Sequence, residues 1–272
     1  MASAAAPISA DVRGWQRFTP AQRLGRFAIY LLLVAGIVAS LRTIEVIPEF
    51  LTDAPEQVVD LLTRMWPVAW NYYPRGVHAA LLETIHIASL GTLLALLLAT
   101  PVGILAAHRL VPLWPVNWLA RLVLVASRSV NSLVWALIFV GIFGPGPLAG
   151  TLAIAFRSIG FVGKLVGEAL DETHGGPIEA LRAAGAPWLS VLGFGYWPQV
   201  RPAFWSIALF RFDINVRESA VLGLVGAGGI GMALDAALNL FQWDRVALIL
   251  VAMFVVVIAA EIGVTQMRKR LL

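Results

Sequence analysis

Glu179-Ala-Leu-Arg-Ala-Ala-Gly185, followed by Pro198, is a short polar, helix-forming stretch between long hydrophobic runs. Ala180, Ala183, Ala184 and Ala186 favour helix and let another protein approach closely. Gly175-Gly-Pro177 puts a proline near a first helical turn, and Gly185 with Pro187 ends or bends the helix. A polar island of this kind has a use only if something outside the apolar phase grips it.

The runs on either side define that apolar phase. Of 272 residues, 59% are hydrophobic and 13% charged, against roughly a quarter charged in ordinary globular chains. Mean hydropathy is +0.81. These values describe an integral membrane protein. The net charge of +4 lies in clusters flanking apolar runs, which fits the positive-inside rule rather than a nucleic-acid face. With no cysteine, disulfides and thiolate metal sites are excluded. The first apolar run starts late, near Phe27, without a small-residue cleavage pattern, so no signal peptide is expected.

A membrane-spanning helix needs about 20 apolar residues. Six segments qualify: Phe27–Ile47 with Arg42 at the interface, Ala79–Ala107, Leu122–Phe143, Leu148–Val166, Pro202–Val225 and Asp244–Gln266. Residues 48–78 are acidic and aromatic, with Trp66, Trp70, Tyr72 and Tyr73 as an interfacial belt and a short amphipathic helix expected among them. The expected organisation is an N-terminal segment 1–26, a first span with its amphipathic segment 27–78, and a five-helix core 79–272 containing the island 167–201. Both basic termini, the connector 108–121 and the island then fall on the cytoplasmic side of a multi-pass cytoplasmic-membrane protein.

The island resembles the EAA loop of permease subunits of bacterial ABC importers: Glu-Ala-Ala, three residues, Gly, nine residues, Ile-x-Leu-Pro. Glu179, Gly185 and Pro198 keep the anchors. Leu181 replaces the second Ala, and Gly195 and Trp197 replace the Ile and Leu. Two further stretches, Ser127–Val140 and Asp213–Gly231, are similar to phosphonate importer permeases, in which a proline is usual where Asn131 stands. The resemblance runs from about Leu82 to the C-terminus.

It implies an all-α type I importer fold with a cytoplasmic coupling helix, in which Glu179, Ala180, Arg182, Ala183, Gly185 and Trp188 contact the ATPase. The implied partners are a second copy of the chain, two ATP-binding subunits that carry ATP and Mg, and an extracytoplasmic substrate-binding protein. No nucleic acid and no cofactor in this chain are expected. The implied cargo is phosphonate, with phosphite, phosphate or a different solute such as methionine as alternatives.

Charge inside the spans makes an independent case for a path. Each isolated charge at the bilayer centre costs about 2.5–3.5 kcal/mol on insertion scales. Arg128, Arg157, Arg211, Asp213, Arg217 and Glu218, with polar Asn131 and Asn215, must therefore face a bundle interior, a cavity or one another. Asp213 and Arg217 are spaced to pair on one helix, and Arg211 to reach Asn215. Arg128 and Arg157 are then left to attract an anion, and a phosphonate accepts bidentate arginine hydrogen bonds. Structural pairing within the bundle is the alternative.

Gly226, Gly228, Gly229 and Gly231 match a dinucleotide fingerprint formally, but no βαβ unit surrounds them. Close packing or a hinge at the outer mouth is the expectation. Gly160-Phe-Val-Gly-Lys164 lacks the spacing and the Ser/Thr of an ATP-binding loop. Glu83 and His86 sit three apart without a second pair, so no metal site is expected. Neither an inverted repeat nor a nucleophile–base pair supports a stand-alone secondary transporter or an enzyme.

Overall fold

The structure, a computed structural model, describes residues 18–44 and 48–271. Most of the expected N-terminal segment and the Glu45–Ile47 end of the first span lie outside them. All regular elements among the described residues are helical. The chain divides into two units, Met1–Val59 and Asp60–Leu272.

In the first unit, α1 (Pro20–Thr43) begins earlier than Phe27 because Thr19 and Gln22 form a reciprocal capping box and Pro20 occupies the first turn. The amphipathic helix expected in the acidic segment is α2 (Pro48–Arg64), which crosses the unit boundary and carries an Asp60–Arg64 pair at 2.6 Å in its second-unit end.

The second unit continues through two irregular turns, Trp70–Tyr72 and Tyr73–Val77, into α3 (His78–Ala106). Then come α4 (Trp114–Ser129), α5 (Ser132–Phe143), α6 (Pro147–Asp171), α7 (Gly175–Ala183) and a single turn, α8 (Trp188–Ser190). A π-helical stretch, Val191–Tyr196, leads into α9 (Trp197–Leu222), α10 (Ile230–Asn239) and α11 (Trp243–Leu271). Among the described residues, five helices are long and apolar enough to cross a membrane, and a sixth span arises if α4 and α5 count together. α10 is a helix that the glycine-loop reading of the sequence did not anticipate.

The α3–α6 contact organises this unit. Gly91, Ala95, Ala99 and Gly103 recur every four residues along buried α3, opposite Gly163 and Gly167 of α6. A Cβ on Gly103 would lie 2.7 Å from the Gly163 carbonyl oxygen. Small residues at this spacing let two helix backbones touch, which replaces the hydrophobic drive that lipid does not supply. Thr92 and Thr84 of α3 meet Asn215 and Ser219 of α9, so α9 runs antiparallel to α3.

The expected single span Leu122–Phe143 is two helices bent by 89°. Val130 and Asn131 are extended, and Asn131 Oδ1 accepts from the Leu133 amide as the N-cap of α5. An asparagine side chain competes with the helical ladder for backbone donors, which ends one helix and starts the next.

Candidate functional site

The break between α4 and α5 lies level with the middle of α3 and α6, and the intramembrane charges gather there. Ser127, in the last turn of α4, donates to the Phe156 carbonyl and accepts from the Gly160 amide, so its hydroxyl bridges one rung of the α6 ladder. A Cβ on Gly160 would meet the Leu124 carbonyl, so only glycine permits that approach. Trp135 and Phe139 of α5 pack on Phe156 with ring centroids 5.5 and 5.1 Å away. Together these contacts hold Arg128 and Asn131 against α6.

Arg157 of α6 forms an ion pair with Glu218 of α9. The second carboxylate oxygen of Glu218 lies 3.4 Å from Arg211. Arg211 is buried and donates from Nε to Ser158 Oγ at 2.7 Å. Ser158 in turn meets Asn215, whose amide donates to Thr92 at 2.8 Å, completing a buried polar chain across α6, α9 and α3. Arg217 pairs with Asp213 one turn before it, while the Oδ1 atom of Asp213 has no hydrogen-bond partner among the described residues.

This geometry corrects two expectations. Arg157 is not left free for an anion, because Glu218 holds it. Arg211 does not reach Asn215; it turns to Ser158 and Glu218, and Asn215 turns to Thr92. The local Asp213–Arg217 pair is present. Arg128 is exposed and has no ion-pair partner among the described residues. The layer thus holds four arginines against two carboxylates.

Clefts open along this layer. One of about 370 Å³ is lined by Asn131, Ser132, Arg157, Arg217 and Glu218. A second, of about 350 Å³, is lined by Arg128, Ser129, Arg157, Phe161 and Arg211. A third, of about 180 Å³, adds Arg121, Lys164, Glu168 and Asp171 to Arg128.

The island lies at the end of the bundle where α6 finishes and α9 begins. Glu179, Ala180, Arg182, Ala183, Gly185 and Trp188 are all exposed, while Ile178 is buried and Leu181 half-buried. Helix α7 stops at Ala183, so one helix from Glu179 to Trp188 is not what forms. Ala186 donates to the Leu181 carbonyl and Gly185 to that of Arg182, with Gly185 at φ +74°, which is a Schellman stop. Two departures from the motif compensate each other. A Cβ on Gly195 would lie 3.2 Å from Leu181 and 3.3 Å from Ile178, so the larger residue at 181 fills the space the smaller one at 195 leaves.

Two side chains that sequence reading missed tie the start of α7 to the bundle. Gln199 Oε1 accepts from the His174 amide at 2.9 Å, and its Nε2 donates to the His174 carbonyl at 3.3 Å and to that of Gly195 at 2.8 Å. Arg109, after α3, donates from its backbone to Asp171 and from its guanidinium to the Thr173 carbonyl. No local spacing signals either contact.

The four glycines near the other end pack closely. Glu83 accepts from the Gly229 amide at 3.1 Å and Thr84 from that of Ile230 at 2.8 Å. Gly228 combines φ +83° with a Cβ position 2.8 Å from Pro147, and a Cβ on Gly231 would strike the Ala220 carbonyl. Gly226 closes the preceding turn.

Known proteins match this arrangement. The family described as binding-protein-dependent transport system inner membrane component matches residues 99–272. The phosphate-import permease protein PhnE of Mycolicibacterium smegmatis is 36% identical over 249 residues, 92% of this chain and 47% of that protein, so the chain spans about half its length. The phosphite transport system permease protein PtxC of Stutzerimonas stutzeri is 39% identical over 189 residues, 70% of this chain and 69% of that protein. Among solved structures, a chain of the MetNI methionine ABC transporter in an inward-facing conformation superposes with a TM-score of 0.64 at 19% identity, over 72% of this chain and 96% of that one. The family match takes in the end of α3 and all of α4 to α11, with both the arginine layer and the exposed island. The chain belongs to the family of binding-protein-dependent transport system inner membrane components.

Proposed function

We propose that this chain is the membrane-spanning subunit of an ATP-driven importer and forms the path for a small phosphorus oxyanion: phosphonate, phosphite or phosphate. The observation that carries the reading is the mid-membrane layer in which Arg157, Arg211 and Arg217 share Asp213 and Glu218, with Arg128 beside them outside any ion pair among the described residues. A surplus of cations inside apolar helices is costly unless an anion or an aqueous path compensates it. The names of the PhnE and PtxC relatives support the same cargo. Methionine, a zwitterion, would leave that surplus uncompensated.

Two copies of the chain line the path about a two-fold axis, the common symmetry of such assemblies. Two ATPase subunits, which carry ATP and Mg, dock on the exposed residues of the island, and both termini are cytoplasmic. A binding protein delivers the anion from the other side. The test is ATP-dependent uptake by the purified complex in proteoliposomes, with phosphonate, phosphite, phosphate and methionine as competitors. Uptake inhibited by the three phosphorus anions and not by methionine is expected. Inhibition by methionine alone would overturn the cargo.

A further inference from the structure

The three clefts form a series, and single arginines join them. Arg157 lines both the first and the second, and Arg128 both the second and the third. The order follows the helices. The first cleft uses Arg217, Glu218, Val221 and Leu222, near the end of α9. The second uses Arg211, earlier on α9, and Phe161, later on antiparallel α6. The third uses Lys164, Glu168 and Asp171, at the end of α6. Going from first to third follows α6 from its middle to its C-terminal end.

At the joint between the first two clefts stands an ion pair rather than a free cation. Glu218 offers one carboxylate oxygen to Arg157 and the other to Arg211, 3.4 Å away. That O–C–O fork, bridging two guanidinium groups, is the arrangement two oxygens of a tetrahedral oxyanion would adopt. The pair is only partly buried, with side chains 30% and 17% exposed, so neither member is locked in the core.

We propose that the Arg157–Glu218 pair is a gate between two anion stations, with Glu218 a resident stand-in anion that the transported oxyanion displaces. This rests on the oxyanion-importer reading above. The oxyanion enters the first cleft beside Arg217, takes the place of the carboxylate on Arg157 and Arg211, and passes toward Arg128. Glu218 lines the first cleft and turns back into it, beside Asn131 and Ser132. When the oxyanion moves on, Glu218 returns and closes the joint. A competing internal carboxylate lowers apparent affinity by the fraction of time it occupies the site, so four arginines do not trap the cargo.

The test uses the complex purified through a tag on this chain, reconstituted, and supplied with radiolabelled phosphate or phosphite. Glu218→Gln keeps the shape and removes the competing charge. Its apparent KM is expected to fall about tenfold, the factor of one hydrogen bond to a charged group, while turnover falls because the anion leaves slowly. Glu218→Asp, which keeps the charge, should lower KM less than Glu218→Gln does. An unchanged or raised KM in Glu218→Gln would overturn the gate.

The double variant Arg157→Gln/Glu218→Gln removes the ion pair as a unit, leaves Arg211 on Ser158, and keeps the test open if the single variant does not assemble. Its KM should exceed that of wild type, since a station has lost its cation; a wild-type KM overturns the proposal. A wild-type complex that hydrolyses ATP but takes up neither anion would sink the importer reading itself, a result separate from either variant's KM.

Discussion

Ser158 shows how one side chain decides whether a buried charge is tolerable. It is fully buried, accepts from Arg211 Nε and bonds Asn215, which reaches Thr92 on α3. Removing it leaves a charged donor in an apolar bundle without its acceptor. Ser158→Ala should lower unfolding stability in detergent by about 2–3 kcal/mol, the range for hydrogen bonds to charged groups. Thr92→Val removes only a neutral contact between helices and should cost about 1 kcal/mol. Denaturant titration of both variants checks the order, and equal losses would mean that Arg211 finds another acceptor. The Asp213–Arg217 pair was legible in the sequence because four residues on a helix fix its geometry. The Arg157–Glu218 pair was not, because its members lie 61 positions apart and only the antiparallel packing of α6 and α9 brings them together.

The short helix α7 and its attachments connect the exposed island to the charged layer. Gln199 lies in the first turn of α9, and the same helix carries Arg211, Asp213, Asn215, Arg217 and Glu218. Its amide pairs with both backbone groups of His174, just before α7, as a strand partner would. The residue that leads into α7 is thus fastened directly to α9. Gln199→Ala should reduce uptake several-fold more than it reduces ATPase activity in the same complex, because the proposed ATPase-docking surface of α7 stays intact while the link is cut. A parallel loss of both activities would assign Gln199 to assembly instead. Sequence spacing identified the exposed residues of the island and a stop or bend at Gly185 with Pro187, but a docking helix from Glu179 to Trp188 would run past that stop. The Schellman stop at Gly185 ends that helix sooner, and the Leu181–Gly195 exchange explains why departures from the motif still give the same local packing.

Among the described residues, five helices qualify as spans, plus the bent α4–α5 pair. In the proposed topology of six crossings, the positive-inside rule would put both termini and the island on the cytoplasmic side. The chain contains no cysteine, so single substitutions report topology without background. Ala183→Cys, on α7, should react with a membrane-impermeant maleimide only after spheroplasts are permeabilised. Leu240→Cys, between α10 and α11 and 64% exposed, should react in intact spheroplasts. The reverse pattern would invert the orientation and remove the island from any cytoplasmic ATPase.

Apolar run length, the basic flanks and the Glu179–Gly185–Pro198 spacing already decided a multi-pass helical protein with one polar island. Those properties depend on local composition and on the thickness of a bilayer, which act on each segment separately. Tertiary structure alone decided that Asn131 splits a span in two, that Glu218 occupies the arginine left free by local pairing, and that Gln199 and Arg109 grip the start of α7. Each is a contact between segments distant in sequence or a competition between side chain and backbone. No helical period encodes such contacts, because they exist only once α3, α6 and α9 have packed.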